Sequence, residues 1–394
     1  MLLCTPFAMT KSCITSLLNP GQKYILGLAL IALTFGSCIR SFIAPEAISQ
    51  NFLVVEGFIN VGNDSTYFTL SRSNSLSDSQ IVKYESGASV IIEGTNNTSF
   101  PLTESSPGKY SCAPFGAVST AQYRLHIVTT SGGQYISDDV TPLYTPPIDS
   151  VTWANTPGGV TIYANSHGNN STSRYYHWTY NETFEFQSTI ASLYILDSVY
   201  HEPIHRLDFE AHHTCWQTDF PSNIVLASTT GLSDNIIYQQ PIYFLPDSSW
   251  KLKFEYSVIV QQQSIDSNAY TFFQLLHSNN DVTGSIFDAQ PTAISGNIHC
   301  VNRPSETVIG YVYATSTSEQ RIFINNFQVT GWYPEFNSCQ AFILDLPADV
   351  ALIQSGAIVI TSYDPTTLIF YATDAVCGDC TLSGTNVKPS YWPN

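Results

Sequence analysis

From Phe52 onward the chain is written in short runs of alternating apolar and polar residues. Phe52–Ile59, Tyr67–Arg72, Ala88–Glu93, Tyr123–Thr129 and Gln134–Ser137 are the first of them. Period-two alternation of this length predicts half-buried strands. Ser73–Gln80 is a Ser/Asn/Asp-rich loop, and Ser131-Gly132-Gly133 predicts a hairpin turn. Short strands with turn chemistry at this spacing predict an Ig-like β-sandwich over residues 51–146. Thr145-Pro146-Pro147 marks its end, because paired prolines enforce extended backbone and withdraw hydrogen-bond donors.

Alternation resumes at Ile148–Trp153 and Val160–Ala164. It continues through the long aromatic run Arg174–Phe186, then Lys251–Gln262, Thr307–Tyr313, Gln320–Asn325, Ala357–Thr361 and Leu368–Tyr371. These predict a larger β-sandwich domain over residues 147–375. One segment changes period. In Asp266–His277, Ala269, Phe272, Phe273 and Leu276 recur at helical spacing, with Asp266 or Ser267 placed to cap. The fold class expected is therefore all-β, an Ig-like sandwich followed by a larger one with one or two short helices. Residues 376–394 read as a Cys-containing C-terminal tail.

Composition agrees. Only 11% of the 394 residues are charged while 13% are aromatic, with 23 Tyr. That mixture suits pleated surfaces and argues against a helical bundle. Residues 1–37 read as a lipoprotein-type signal: Lys11 and Lys23, a short apolar stretch Tyr24–Phe35, then Gly36-Ser37-Cys38. Cleavage before Cys38 would make it the lipidation site and residues 38–50 a tether. Several acyl chains hold a protein on a membrane stably, at about 0.8 kcal/mol per buried CH₂. Loss of those two lysines and no acid takes the net charge from −17 to −19. A chain so acidic repels nucleic acid.

Export makes disulfides expected. With Cys38 lipidated, six cysteines remain, and fifteen pairings among them. The candidates are Cys215, Cys300, Cys339, Cys377 and Cys380. The expected framework joins Cys215 to Cys300, and Cys339 to Cys377 or Cys380, leaving Cys112 in the other domain. Cys377-x-x-Cys380 is also the spacing of a redox pair or half a zinc site. The first needs a helix N-terminus and the second needs further ligands such as His212, His213 or Cys215. A structural disulfide role is expected instead, with no metal and no cofactor.

Tyr175, Tyr176, Trp178 and Tyr180 admit two readings. Exposed, they would form a rigid platform for a sugar, peptide or protein; buried, they fill the sandwich. Glu182 and Glu185 lie three apart on the same predicted strand. They point to opposite faces and do not converge as a glycosidase pair. No phosphate loop, dinucleotide fingerprint, nucleophile elbow or H-E-x-x-H motif occurs. The expectation is a binding protein rather than an enzyme.

Several segments together carry a family resemblance. They are Cys38, Leu53–Ile59, Gly87–Val90, Pro147–Val151, Tyr175–Thr183, Tyr256–Gln262, Ile286–Asn297, Val308–Tyr311, Cys377–Thr381 and Lys388–Trp392. In this order the chain resembles the domain of unknown function 4249 family, lipoproteins typical of Bacteroidetes. The resemblance implies an outer-membrane lipoprotein, anchored by its lipid, whose gene neighbours a TonB-dependent β-barrel receptor. It implies an accessory role in nutrient or siderophore-type uptake. The stretch after Cys38 lacks the early acidic run common in surface-exported lipoproteins, which leaves the membrane face open. Two other readings stand beside this one: an Ig-like surface adhesin, and a glycan or peptide hydrolase whose site has no sequence signature.

Overall fold

The computed structural model describes residues 51–74, 82–169, 173–200, 202–207, 212–280, 296–332, 338–346 and 348–393. The signal, the tether and the Cys38 lipidation site lie outside the described residues. So do most of the Ser73–Gln80 loop and most of the Ile286–Asn297 segment.

The first sandwich begins with eight strands. They are β1 (Leu53–Asn60), β2 (Thr66–Arg72), β3 (Lys83–Tyr84), β4 (Ser89–Gly94), β5 (Thr98–Ser106), β6 (Lys109–Cys112), β7 (Tyr123–Val128) and β8 (Gln134–Ser137). The expected alternation holds. Leu53, Val55 and Ile59 of β1, Val90 and Ile92 of β4, and Tyr123, Leu125 and Ile127 of β7 point into one core. The hairpin predicted at Ser131–Gly133 joins β7 to β8, with Gly132 at φ +83° as a left-handed turn requires.

The next elements are β9 (Ile148–Thr156), β10 (Gly159–His167), β11 (Tyr175–Gln187), β12 (Tyr194–Leu196) and β13 (Pro203–His205). They are followed by β14 (Thr214–Asp219), β15 (Val225–Ser228), β16 (Ile236–Pro246), β17 (Glu255–Ile265) and helix α1 (Ser267–Asn280). Then come β18 (Ile298–Cys300), β19 (Val308–Ile309), β20 (Ala314–Thr315), β21 (Thr317–Asn325) and β22 (Phe342–Ile343). Helix α2 (Val350–Gln354), β23 (Ile358–Asp364), β24 (Ile369–Asp374) and the one-turn helix α3 (Ala375–Gly378) complete the order.

The second sandwich packs sheet β16-β10-β9 against sheet β14-β11-β17-β21, with β15 also on β11. Its core holds Val160, Ile162, Trp178, Phe184, Tyr256 and Val258. Helix α1 forms where predicted. Asp266 Oδ1 accepts from the amides of Asn268 and Ala269 at 2.7 and 2.9 Å, the N-cap geometry. Ala269 and Phe272 are buried.

Two departures from the expected domains matter. Thr307–Tyr313 was expected to belong to the second sandwich as one strand. Instead β18, β19 and β20 return to the first: β18 extends β8, while β19 and β20 run parallel to β1. The return covers open edges of the first sheet, and Ile298, Val308, Val312 and Ala314 join its core. Gly310 breaks the run because it sits at φ +140°, where an added Cβ would stand 2.2 Å from the Val55 carbonyl oxygen. The prolines at 146 and 147 thus separate the first two cores, but the first sandwich is assembled from two stretches of chain.

The second departure is a third, smaller sheet, ordered β13-β12-β23-β24-β22. It has its own core of Leu344, Ile358, Ile360 and Ala372, backed by Ile353 of α2. Residues 147–375 therefore hold one sandwich, this separate sheet, and three strands that complete the first sandwich.

Candidate binding cleft

The small sheet carries an open cleft of about 290 Å³. Strand β12 supplies Tyr194 and Leu196, β23 supplies Ile358 and Ile360, and α2 supplies Ile353. Arg206, just after β13, also lines it and donates to Ser192 Oγ at 3.2 Å. The cleft exists because α2 is a single short helix resting on a sheet, so apolar side chains between them are only partly covered. Ser198 leads from the cleft into the β12–β13 turn. There Asp197 Oδ1 accepts from the amides of Val199 and Tyr200 at 2.8 and 2.7 Å. That Asx-type turn presents both side chains to solvent, Val199 73% and Tyr200 78% exposed. Leu352 on α2 and Ile204 on β13 are exposed too. Asp197 and Glu202 lie in the β12–β13 turn, and Asp345 and Asp349 lie ahead of α2 in sequence. Apolar walls with a few polar groups at their edge, Ser198 and Arg206 among them, are the make-up of a ligand or partner cleft.

The four aromatics proposed as a platform lie elsewhere and do not form one. Tyr176, Trp178 and Tyr180 point inward from β11 and are buried. Tyr176 OH donates to Asn235 Oδ1 at 2.9 Å and Trp178 Nε1 to Gln262 Oε1 at 3.1 Å. Tyr175 points outward but packs against Tyr270 of α1, ring centres 5.0 Å apart. Alternation placed three of them on the core side, and α1 covers the fourth.

The same inward row contains Glu182, between Tyr180 and Phe184. Its carboxylate accepts from Lys251 Nζ at 3.0 Å and from Tyr256 OH at 2.8 Å. Lys251 also meets Asp219 at 2.8 Å and lies over the Phe184 ring. Partial burial works against the Lys251 ammonium, but its bonds to Asp219 and Glu182 outweigh this and raise its pKa. Burial first, and Glu182 beside it, push the Tyr256 phenol well above its usual range. Glu185 points to the other face, as alternation predicts. The group is a satisfied ion network joining β11, β14 and β17 to the turn holding Lys251. The register of β11 signalled a carboxylate in the core; nothing local in sequence signalled Lys251.

One comparison bears on identity. The family model for the domain of unknown function DUF4249 matches residues 41–321. This chain belongs to the DUF4249 family. Among curated proteins, none matches it. The DUF4249 match runs through both sandwiches and ends inside β21. It includes β12 and β13 but stops short of α2, β22, β23 and β24, so the cleft is built partly from chain beyond the matched region.

Beyond that boundary lie three of the four cysteines that form the two disulfides among the described residues, Cys215–Cys380 and Cys339–Cys377. The expected Cys215–Cys300 bond is corrected. Cys300 sits on β18 opposite Tyr135 in the first sandwich, whereas Cys215 on β14 faces the second core. Cys300 and Cys112 are both free. Cys339 pairs with Cys377, one of its two expected partners. His212 does come close to Cys380: its carbonyl accepts from the Cys380 amide at 2.9 Å. Its ring, however, contacts Asp379 at 3.0 Å, and the sulfurs of Cys215 and Cys380 are bonded to each other. They are spent as metal ligands, and the C-x-x-C cysteines as a redox pair. Their role is mechanical. Cys339–Cys377 ties β22 to the end of β24, and Cys215–Cys380 ties that end to the second sandwich. The tail continues across sheet β14-β11-β17-β21, where Trp392 packs edge-on to Trp216 and Phe323.

Proposed function

We propose that this protein is a lipid-anchored accessory subunit of a TonB-dependent outer-membrane transporter, working by binding rather than catalysis. The observation that supports this reading is the cleft on the small sheet. An apolar hollow flanked by exposed Val199, Tyr200 and Leu352, held in place by two disulfides, is costly to leave in water unless a partner covers it. A Tyr at the rim of an apolar pocket is the anchor type that dominates protein–protein binding energy. The acids of the β12–β13 turn and of the segment ahead of α2 favour a partner that carries basic side chains beside its apolar protrusion. Fixed disulfides cut the ordering cost of binding. The lipoprotein-type Cys38 and membership of the DUF4249 family support anchoring and the cell envelope as the setting.

The test is fractionation and pull-down of the native protein. Cys38→Ala is expected to move it from the membrane fraction to the soluble one. Mild-detergent purification of the wild type is expected to bring a large β-barrel with it. A lone soluble wild-type protein, carrying neither lipid nor partner, would sink the proposal.

A further inference from the structure

Among the described residues, strand β15 lies at an edge of its sheet and pairs with β11 alone. The ladder determines which of its backbone groups face outward. The amide of Thr229 donates to the carbonyl of Arg174 at 2.9 Å, one step beyond the Tyr175–Ser228 pair. Arg174 and Thr229 thus continue the ladder as a hydrogen-bonded pair. Such pairs alternate in antiparallel strands. Tyr176–Ala227 and Trp178–Val225 are therefore the bonded pairs, and the N–H and C=O of Leu226 and Ser228 point away from β11. Among the described residues, no strand pairs with that outer edge.

Helix α1 runs alongside. Ala269 and Phe272 anchor it and Tyr270 packs on Tyr175, so its position relative to β15 is fixed. Between the two lies a groove of about 390 Å³. Ile224, Val225 and Leu226 form one wall; Tyr270, Gln274 and His277 form the other. Among the described residues, no Asp, Glu, Lys or Arg lines it, on a chain that carries 31 acids.

We propose that this groove binds an extended, uncharged peptide segment of another protein, which adds to β15 as a new strand. An open strand edge beside a helix flank is suited to this. The edge bonds to any backbone in register, and the helix wall reads alternate side chains. The four residues of β15 span roughly 13 Å, enough to pair a segment of about four residues. A lining without carboxylates, ammonium or guanidinium groups among the described residues favours an uncharged segment, because a charge placed there would be desolvated at a cost. A second copy is a poorer occupant: β15-to-β15 pairing would bring together two strongly acidic chains, each of net charge −17 before any loss of Lys11 and Lys23. The site is distinct from the cleft on the small sheet and does not depend on the transporter reading.

The test uses the mature full-length protein and a phage-displayed library of random dodecapeptides. Peptides selected on the wild type are expected to be poor in charge and to slow hydrogen exchange at the amides of Leu226 and Ser228. Leu226→Pro removes an outward N–H without touching either flanking bonded pair. It is expected to weaken a selected peptide about tenfold or more. Gln274→Trp fills the groove from the helix wall, leaves the strand intact, and is expected to do the same. Failure to select any peptide would overturn the proposal. So would selected peptides that bind both variants as tightly as the wild type, or a concentration-dependent dimer abolished by Leu226→Pro.

Discussion

Lys251 Nζ stands 3.0 Å from the buried carboxylate of Glu182, across 69 residues of sequence. The pair shares one network with Asp219 and Tyr256. A buried carboxylate that loses its cation is far costlier than one never charged. Lys251→Met is therefore expected to destabilise the second sandwich by about 3 kcal/mol. The double variant Glu182→Gln/Lys251→Met should recover much of that loss. Urea denaturation of the three proteins decides it; a single variant within about 0.5 kcal/mol of the wild type contradicts a structural role for the pair.

His177 lies beneath α1, stacked on Phe273 with ring centres 4.5 Å apart. Burial first, against a smaller opposing hydrogen bond with Gln263, lowers its pKa to about 4. The unfolded chain protonates this histidine near 6.5 and the folded chain does not. Its contribution to stability is thus intact above pH 6.5, falls as the pH drops toward 4, and levels below. The loss approaches about 3 kcal/mol. His177→Phe should flatten this part of the profile. The check is the difference in urea midpoint between pH 7 and pH 4.5, wild type against variant. Equal differences would show that the ring is not held neutral.

The two disulfides should be unequal. Cys215–Cys380 closes 165 residues and Cys339–Cys377 closes 38. In the chain-entropy account their contributions are about 5 and about 4 kcal/mol. Replacing the first pair with serine should therefore cost more than replacing the second. Peptide mapping without reductant should recover both bonds and find Cys112 and Cys300 as thiols. A mapped Cys215–Cys300 peptide would refute the architecture described for the two sandwiches.

Much of the fold was legible because it is local. Alternation placed β1, β4, β7 and the inward row of β11, and the Asp266 cap with its 3.6-residue period placed α1. What was illegible is non-local. The return of β18–β20 to the first sandwich is not written in Thr307–Tyr313, whose alternation suits either core. The same return carries Cys300 into the first sandwich and so away from Cys215. The cleft has no sequence signature because β12, β13 and β22 are two or three residues long, too short to show a period. The aromatic run drew attention as a binding surface for the very reason that it is core: large side chains concentrate where a sandwich is filled.

A transporter subunit that docks through its small sheet needs the exposed β12–β13 turn for contact. The most direct measurement is quantitative mass spectrometry of proteins that co-purify with the native chain, compared with Tyr200→Asp. That change puts a charge on a solvent-exposed turn and should leave folding intact. The prediction is a β-barrel transporter enriched with the wild type and depleted at least tenfold with the variant, while both remain in the membrane fraction. Equal recovery of the same barrel with both proteins would contradict docking through this face, and no barrel with either would contradict the accessory role itself.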